Sequence, residues 1–433
     1  MEPGGQDYLE LRSRWLKLRS HLYDPNTGLP SLPAVLEEVR RRSEAGHRMG
    51  VLLLDLSGEE SLEEVYGWET YDGVLRQIAE ALESLRGSAL DEEDIVAQPG
   101  IRSDQFILFL VLPDREAEAV LVRKRAEILD ELETKLQIQV GKERPRGIMI
   151  HAEARVMPYD PTARIERSLY RAIDEVRAAC RRDREEQVSL RLNELRRILS
   201  NRDILIRYQP IVRLTDDSIF GFEALSCGPR GDLFADPEML FSFAEKTDQI
   251  IELERMCRLE SVRGATQLPR SSKLFLNCSA HGIEDLEGVS DTLTREIEEA
   301  GLAVDDLVLE ITERVAVPAW REFRKRLDRL RDRGFRIAID DMGAGYSSLH
   351  SVAEIEPDFM KFDIALVRDI HRSAIKRGLL EGLRLVAEKV GARVIAEGVE
   401  QEEELETLQE MGVSYGQGYL FSPPSTFSLH MPE

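Results

Sequence analysis

Residues 336–348 read RIAIDDMGAGYSS. An alternating basic and apolar run ends in two adjacent aspartates and opens into a glycine-broken loop of small residues. That is the texture of a buried strand delivering polar groups at its end. Alone, an Asp-Asp pair is a common surface feature, so its meaning comes from the runs around it. IFGFEAL (219–225) carries Glu223, KLFLNCS (273–279) carries Asn277, and LVLEITE (307–313) carries Glu310 and Glu313. DFMKFD (358–363) carries Lys361 and Asp363, RVIAEGVE (393–400) carries Glu397 and Glu400, and GQGYLF (416–421) carries Gln417. Short apolar strands spaced by helical segments predict a β/α repeat, and in barrels of that kind the strand ends converge on one face. The polar groups therefore meet.

Convergence has an electrostatic consequence. Two carboxylates ~4 Å apart repel by ~4 kcal/mol at an effective dielectric of ~20, so several together require protonation or a cation. An oxygen-only set without histidine or cysteine suits Mg²⁺ or Mn²⁺ better than zinc, and more than four carboxylates leave room for two ions. Paired divalent ions are a common means of phosphodiester hydrolysis.

The rest of the 433-residue chain narrows the classes. Its length predicts two to three domains. The balance of 58 basic against 81 acidic residues, a net charge of −23, argues against a DNA- or RNA-polymer partner and against an anionic membrane surface. Four dispersed cysteines, Cys180, Cys227, Cys257 and Cys278, form no C-x-x-C and predict reduced thiols in a cytoplasmic protein. The start, MEPGGQDYLE, lacks the apolar core of a signal peptide, and the longest apolar run, FILFLVL (106–112), is too short to span a bilayer. Neither a P-loop nor a zinc-type histidine motif occurs.

Leu11, Trp15, Leu18 and Leu22 predict an amphipathic helix over 1–22. Residues 23–160 alternate helices and strands as one α/β sandwich domain. Residues 161–203 are dense in Arg and Glu, and 162–200 contain no Gly or Pro, which predicts a long linking helix. The barrel is expected over 204–433.

YQPIV (208–212), EAL (223–225), LNCS (276–279), LEITE (309–313), IDDMGAGYSSL (339–349), PDFMKFD (357–363), AEGVE (396–400) and QGYLFS (417–422) resemble, in order and spacing, the EAL domain of bacterial cyclic-di-GMP phosphodiesterases. The resemblance implies a TIM-like β/α barrel that hydrolyses cyclic-di-GMP to linear pGpG with two Mg²⁺ or Mn²⁺ ions. It places metal ligands at Glu223, Asn277, Glu310, Asp340, Asp341 and Glu400, and substrate contacts at Gln209, Glu223 and Leu225. Lys361 and Glu397 fall where the family activates or orients water, Gln417 supports the site, and Glu313 anchors the loop after the aspartates. Departures fall at Cys227, where the family carries a substrate-binding arginine, and at Met342, Ala344 and Ile364. They leave a second reading open, a receptor that binds cyclic-di-GMP without hydrolysing it.

YDPNTGLP (23–30) and LLLDLSGEESLEEVYGWETYDGVL (52–75) resemble a GGDEF diguanylate cyclase domain. Where its signature belongs the chain reads RSDQF (102–106), with Arg102 and Ser103 in place of the glycines and Gln105 in place of an acid. Glu63, Glu64 and Trp68 replace the family's nucleotide-contacting residues, while Asp55 and Asp72 remain. The resemblance thus implies an inactive, regulatory GGDEF-like domain without cyclase activity; a homodimer and a regulatory protein partner are both compatible with it.

Overall fold

The structure, a computed structural model, describes residues 22–56, 68–100, 103–140, 150–158, 164–231, 234–269, 272–287, 291–312, 320–343 and 348–426. All but the last residue of the expected N-terminal helix lies outside these, as do Glu63, Glu64, Arg102, Glu313 and Ala344. The chain divides into two compact units, Met1–Leu190 and Arg191–Glu433.

The first unit holds strands β1 (Arg48–Asp55), β2 (Ile95–Ala97), β3 (Gln105–Leu112) and β4 (His151–Val156) in an antiparallel sheet of order β2-β3-β1-β4. β1 is buried along nearly its whole length because both faces are covered. Leu52 and Leu54 join Phe106, Leu108 and Leu110 beneath helices Trp68–Ser84 and Ala117–Val140. Val51 and Leu53 join Ile107 and Phe109 under helices Leu32–Glu44 and Ile165–Asn201. The period of two along each strand separates the two cores.

The Gly- and Pro-free stretch forms one helix, Ile165–Asn201. Leu169, Ala172, Ile173, Val176 and Cys180, at helical spacing, lie in the first unit's core. Leu195, Ile198 and Leu199, at the other end, lie in a cluster of the second unit with Phe234, Leu240 and Leu253. The boundary between the compact units, at Leu190 and Arg191, falls inside this helix.

The second unit is a closed eight-stranded barrel: β5 (Leu205–Arg213), β6 (Ile219–Cys227), β7 (Lys273–Asn277), β8 (Leu307–Thr312), β9 (Arg336–Met342), β10 (Phe359–Phe362), β11 (Arg393–Ala396) and β12 (Tyr415–Gly416). From β6 to β12 every neighbouring pair is parallel. β5 departs from the repeat and runs antiparallel to both β6 and β12. A hairpin produces the reversal: Asp217 takes φ 56° and Asp216 accepts from the Ser218 amide and hydroxyl. The N-terminal end of β5 consequently lies beside the C-terminal ends of the others.

A carboxylate centre at the open end of the barrel

The barrel interior is built in layers. Ile211, Phe275, Val308, Ala338, Phe359, Ile395 and Tyr415 form a buried apolar cluster, and the Phe220 ring stacks on Tyr415 with centroids 4.1 Å apart. Two residues beyond these positions, on the same strand face, stand Asn277, Glu310, Asp340, Lys361, Glu397 and Gln417. On antiparallel β5 the step runs backwards, from Ile211 to Gln209, which pairs directly with Glu223 of β6. One rung of the barrel thus carries nearly the whole expected site.

Regular alternation would send Asp340 and Asp341 to opposite faces. The β9–β10 ladder avoids this with a β-bulge: Ile339 pairs with Met360 and Met342 with Phe362, so two aspartates face the one lysine between. Asp341 takes φ 57°, a left-handed conformation that aspartate tolerates better than most residues. In result, oxygens of Asp340, Asp341 and Glu397 lie within 4.8 Å of one another.

Lys361 sits at the centre, fully buried. Its Nζ is 2.7 Å from Glu310, 2.7 Å from Glu397, 3.1 Å from Asp340 and 3.3 Å from Glu223. The cation that such a cluster needs is supplied in part by the protein itself. Burial would lower the Lys361 pKa, but Asp340, Glu223, Glu310 and Glu397 together hold it well above the ordinary value. Burial, with the Glu223 and Asp340 charges, drives Glu310 well upward. Burial also pushes Glu397 up to about 8, against the pull of Lys361. Glu223 goes the other way: burial would raise it, yet Lys361 and hydrogen bonds from Gln417 and Asn277 hold it below the usual range.

One lysine cannot satisfy this set. Both oxygens of Glu310 and Oδ1 of Asp340 are buried, and Lys361 Nζ is the one described cation near them, 2.7 Å from Glu310 and 3.1 Å from Asp340. Unmatched buried anionic oxygens of carboxylates fit a hard divalent cation.

The remaining expected residues are placed as follows. Gln417 Nε2 donates to Glu223 at 2.6 Å and Gln209 at 2.9 Å, and Asn277 Nδ2 donates to Glu223 at 3.3 Å. Leu225, Cys227, Asn277, Glu310 and Asp341 line a cleft of about 740 Å³ above the buried rung. The Cys227 thiol is turned to the Leu205 carbonyl. Glu400 is not gathered with the other carboxylates and pairs with Arg368 at 3.2 Å. Sequence reasoning missed two features of the cleft: Arg207, and a buried Glu254–Arg258 pair in which Glu254 accepts from the Ser279 amide beyond Asn277.

In the first unit, Ser103 and Asp104 of the RSDQF stretch border a cavity of about 770 Å³ with Asp24, Trp68, Tyr71, Asp72 and Arg76. Phe106 is wholly buried in the core.

Fold and site together define a TIM-like barrel protein with a carboxylate centre suited to divalent ions. The chain belongs to the EAL domain family, whose model matches residues 192–424, and a diguanylate cyclase GGDEF domain model matches residues 21–186. It is 29% identical over 93% of its length to "Cyclic di-GMP phosphodiesterase NbdA" of Pseudomonas aeruginosa, covering 52% of that protein. It is 27% identical over 93% of its length to "Cyclic di-GMP phosphodiesterase PdeR" of Escherichia coli, covering 61% of that protein. Among solved structures, the Xanthomonas citri FimX EAL domain in complex with c-diGMP shares the barrel fold at TM-score 0.52 and 20% identity, over 58% of this chain and 99% of that one.

Proposed function

We propose that the barrel hydrolyses cyclic-di-GMP to pGpG, and that the GGDEF-like domain is a regulator without cyclase activity. The observation carrying this reading is the rung of buried carboxylates around Lys361, with oxygens left over for cations, in a chain of this family. Glu223, Asn277, Glu310, Asp340, Asp341 and Glu400 are the residues assigned to hold ions, and Glu397 joins the aspartate pair geometrically. Bound there, two Mg²⁺ or Mn²⁺ ions supply positive charge against the phosphate and acidify a water.

The overall change adds one water across one phosphodiester: its oxygen joins phosphorus, and the 3′ oxygen leaves with a proton. The Glu397 carboxylate, ionised once the centre holds its cations, takes the water's proton. Lys361 Nζ, fixed by four carboxylates, holds the water and Glu397 in register. Gln417 and Asn277 keep Glu223 ionised and oriented.

Incubation of the protein with cyclic-di-GMP and Mn²⁺, with nucleotides resolved by chromatography, tests this. We expect pGpG from the natural protein, none in EDTA, and at least about a hundredfold slower turnover in Glu310→Gln or Asp340→Asn. Undiminished turnover in either variant overturns the assignment. A receptor reading draws on Cys227, whose thiol offers no phosphate a charge; tight binding with no pGpG would establish it instead.

A further inference from the structure

The inference concerns Arg207 and rests on cyclic-di-GMP being the ligand. Two residues before Gln209 on β5, Arg207 shares the strand face of that site residue and stands one step nearer the mouth. It pairs directly with Leu225 of β6, and both line the cleft. Directly opposed residues of an antiparallel ladder present their side chains together, so Arg207 occupies the rung above Glu223 and Gln209.

The charges around that cleft are unequal. Glu238, Glu254, Glu310 and Asp341 border it, against only Arg207 and Arg258 as described cations. The Arg258 guanidinium is committed, 3.2 Å from Glu254 and 2.8 Å from Asp285, and almost wholly buried. The guanidinium of half-buried Arg207 makes no hydrogen bond or ion pair with any described residue. A dianionic ligand entering an acidic cleft of a chain with net charge −23 needs a local cation besides those in the centre. At position 227 the thiol faces a backbone carbonyl and cannot serve.

We propose that Arg207 is a substrate-binding residue of this barrel, its guanidinium grasping a phosphate of the bound dinucleotide from β5 where position 227 of β6 holds no cation. A guanidinium can offer a phosphate two parallel N–H donors, and a charged hydrogen bond of this kind is worth about ten- to a hundredfold in affinity. Because the phosphate is anionic in both ground and transition states, the loss falls on KM and leaves kcat nearly unchanged.

The test is calorimetric titration of cyclic-di-GMP in Ca²⁺ together with turnover in Mn²⁺, on the natural full chain and on Arg207→Ala, Arg207→Gln and Arg207→Lys, with melting curves confirming the fold. Ala and Gln should weaken binding and raise KM about ten- to a hundredfold with kcat within about threefold, and Lys, retaining a point charge, should lose less. Unchanged affinity in Arg207→Ala, affinity kept in Arg207→Gln, or a fall in kcat at constant KM overturns the assignment. If the natural protein itself fails to bind cyclic-di-GMP, the assignment and the proposed function fall together; if it binds and the variants bind equally, only Arg207 is displaced.

Discussion

At Glu397, burial and Lys361 act in opposite senses and burial prevails, raising the carboxyl from its ordinary 4.5 to about 8. Between those values the folded protein holds a proton that the unfolded chain has released. The contribution of this group to the stability of the metal-free protein is therefore greatest at the acid side of this window and declines as pH rises through about 8. A divalent ion removes the penalty by replacing the proton, so its binding expels protons. Melting curves in EDTA should show Tm falling from about pH 5 to about pH 9, with the decline flattened by Mn²⁺ and diminished in Glu397→Gln. A metal-free profile no steeper than that of Glu397→Gln would show that this carboxyl is not held protonated. Glu223, Glu310, Asp340, Lys361 and Glu397 were legible beforehand because each closes an apolar run. Arg207 was not: in LIRYQPIV it looks like any exposed strand residue, and its partner Leu225 is fixed only by the hairpin.

The bulge in β9 shows what an element adds to its residues. Adjacent aspartates can be read in the sequence, but the irregular pairing that turns both to one side depends on β10 across the ladder. Asp341 carries a conformational penalty of roughly 1–2 kcal/mol in the left-handed region, and its carboxylate crowds those of Asp340 and Glu397. Replacing it should relieve both costs while stripping an ion ligand. Asp341→Gly is therefore expected to melt, metal-free, within about 1 kcal/mol of the parent or above it, because glycine's own entropy cost offsets part of the gain. Its Mn²⁺-induced rise in Tm should shrink. An undiminished rise would remove Asp341 from the ion site. Helices such as Leu32–Glu44 were legible from periodicity alone, whereas reversed β5 was not, since strand direction leaves no trace in a run as short as YQPIV.

On the scale of the whole molecule, each unit encloses its own core, and one helix has an end in each. Resemblance over both units was readable from ordered motifs; the division within the helix was not, because its solvated middle continues the same Arg- and Glu-rich pattern as its buried ends. The first unit holds a four-stranded sheet, with Phe106 serving the core, and the stretch beside it reads RSDQF, with no glycine to permit close backbone approach to a phosphate. A preparation carrying Glu310→Gln should form no cyclic-di-GMP from GTP with either Mg²⁺ or Mn²⁺; chromatographic detection of that product would restore a cyclase to the chain. In the second unit, Phe220, Phe275, Phe359 and Tyr415 floor the barrel beneath its charged rung. That floor makes the barrel a vessel with a single door. Whatever reaches the charged rung must therefore come and go by the same passage.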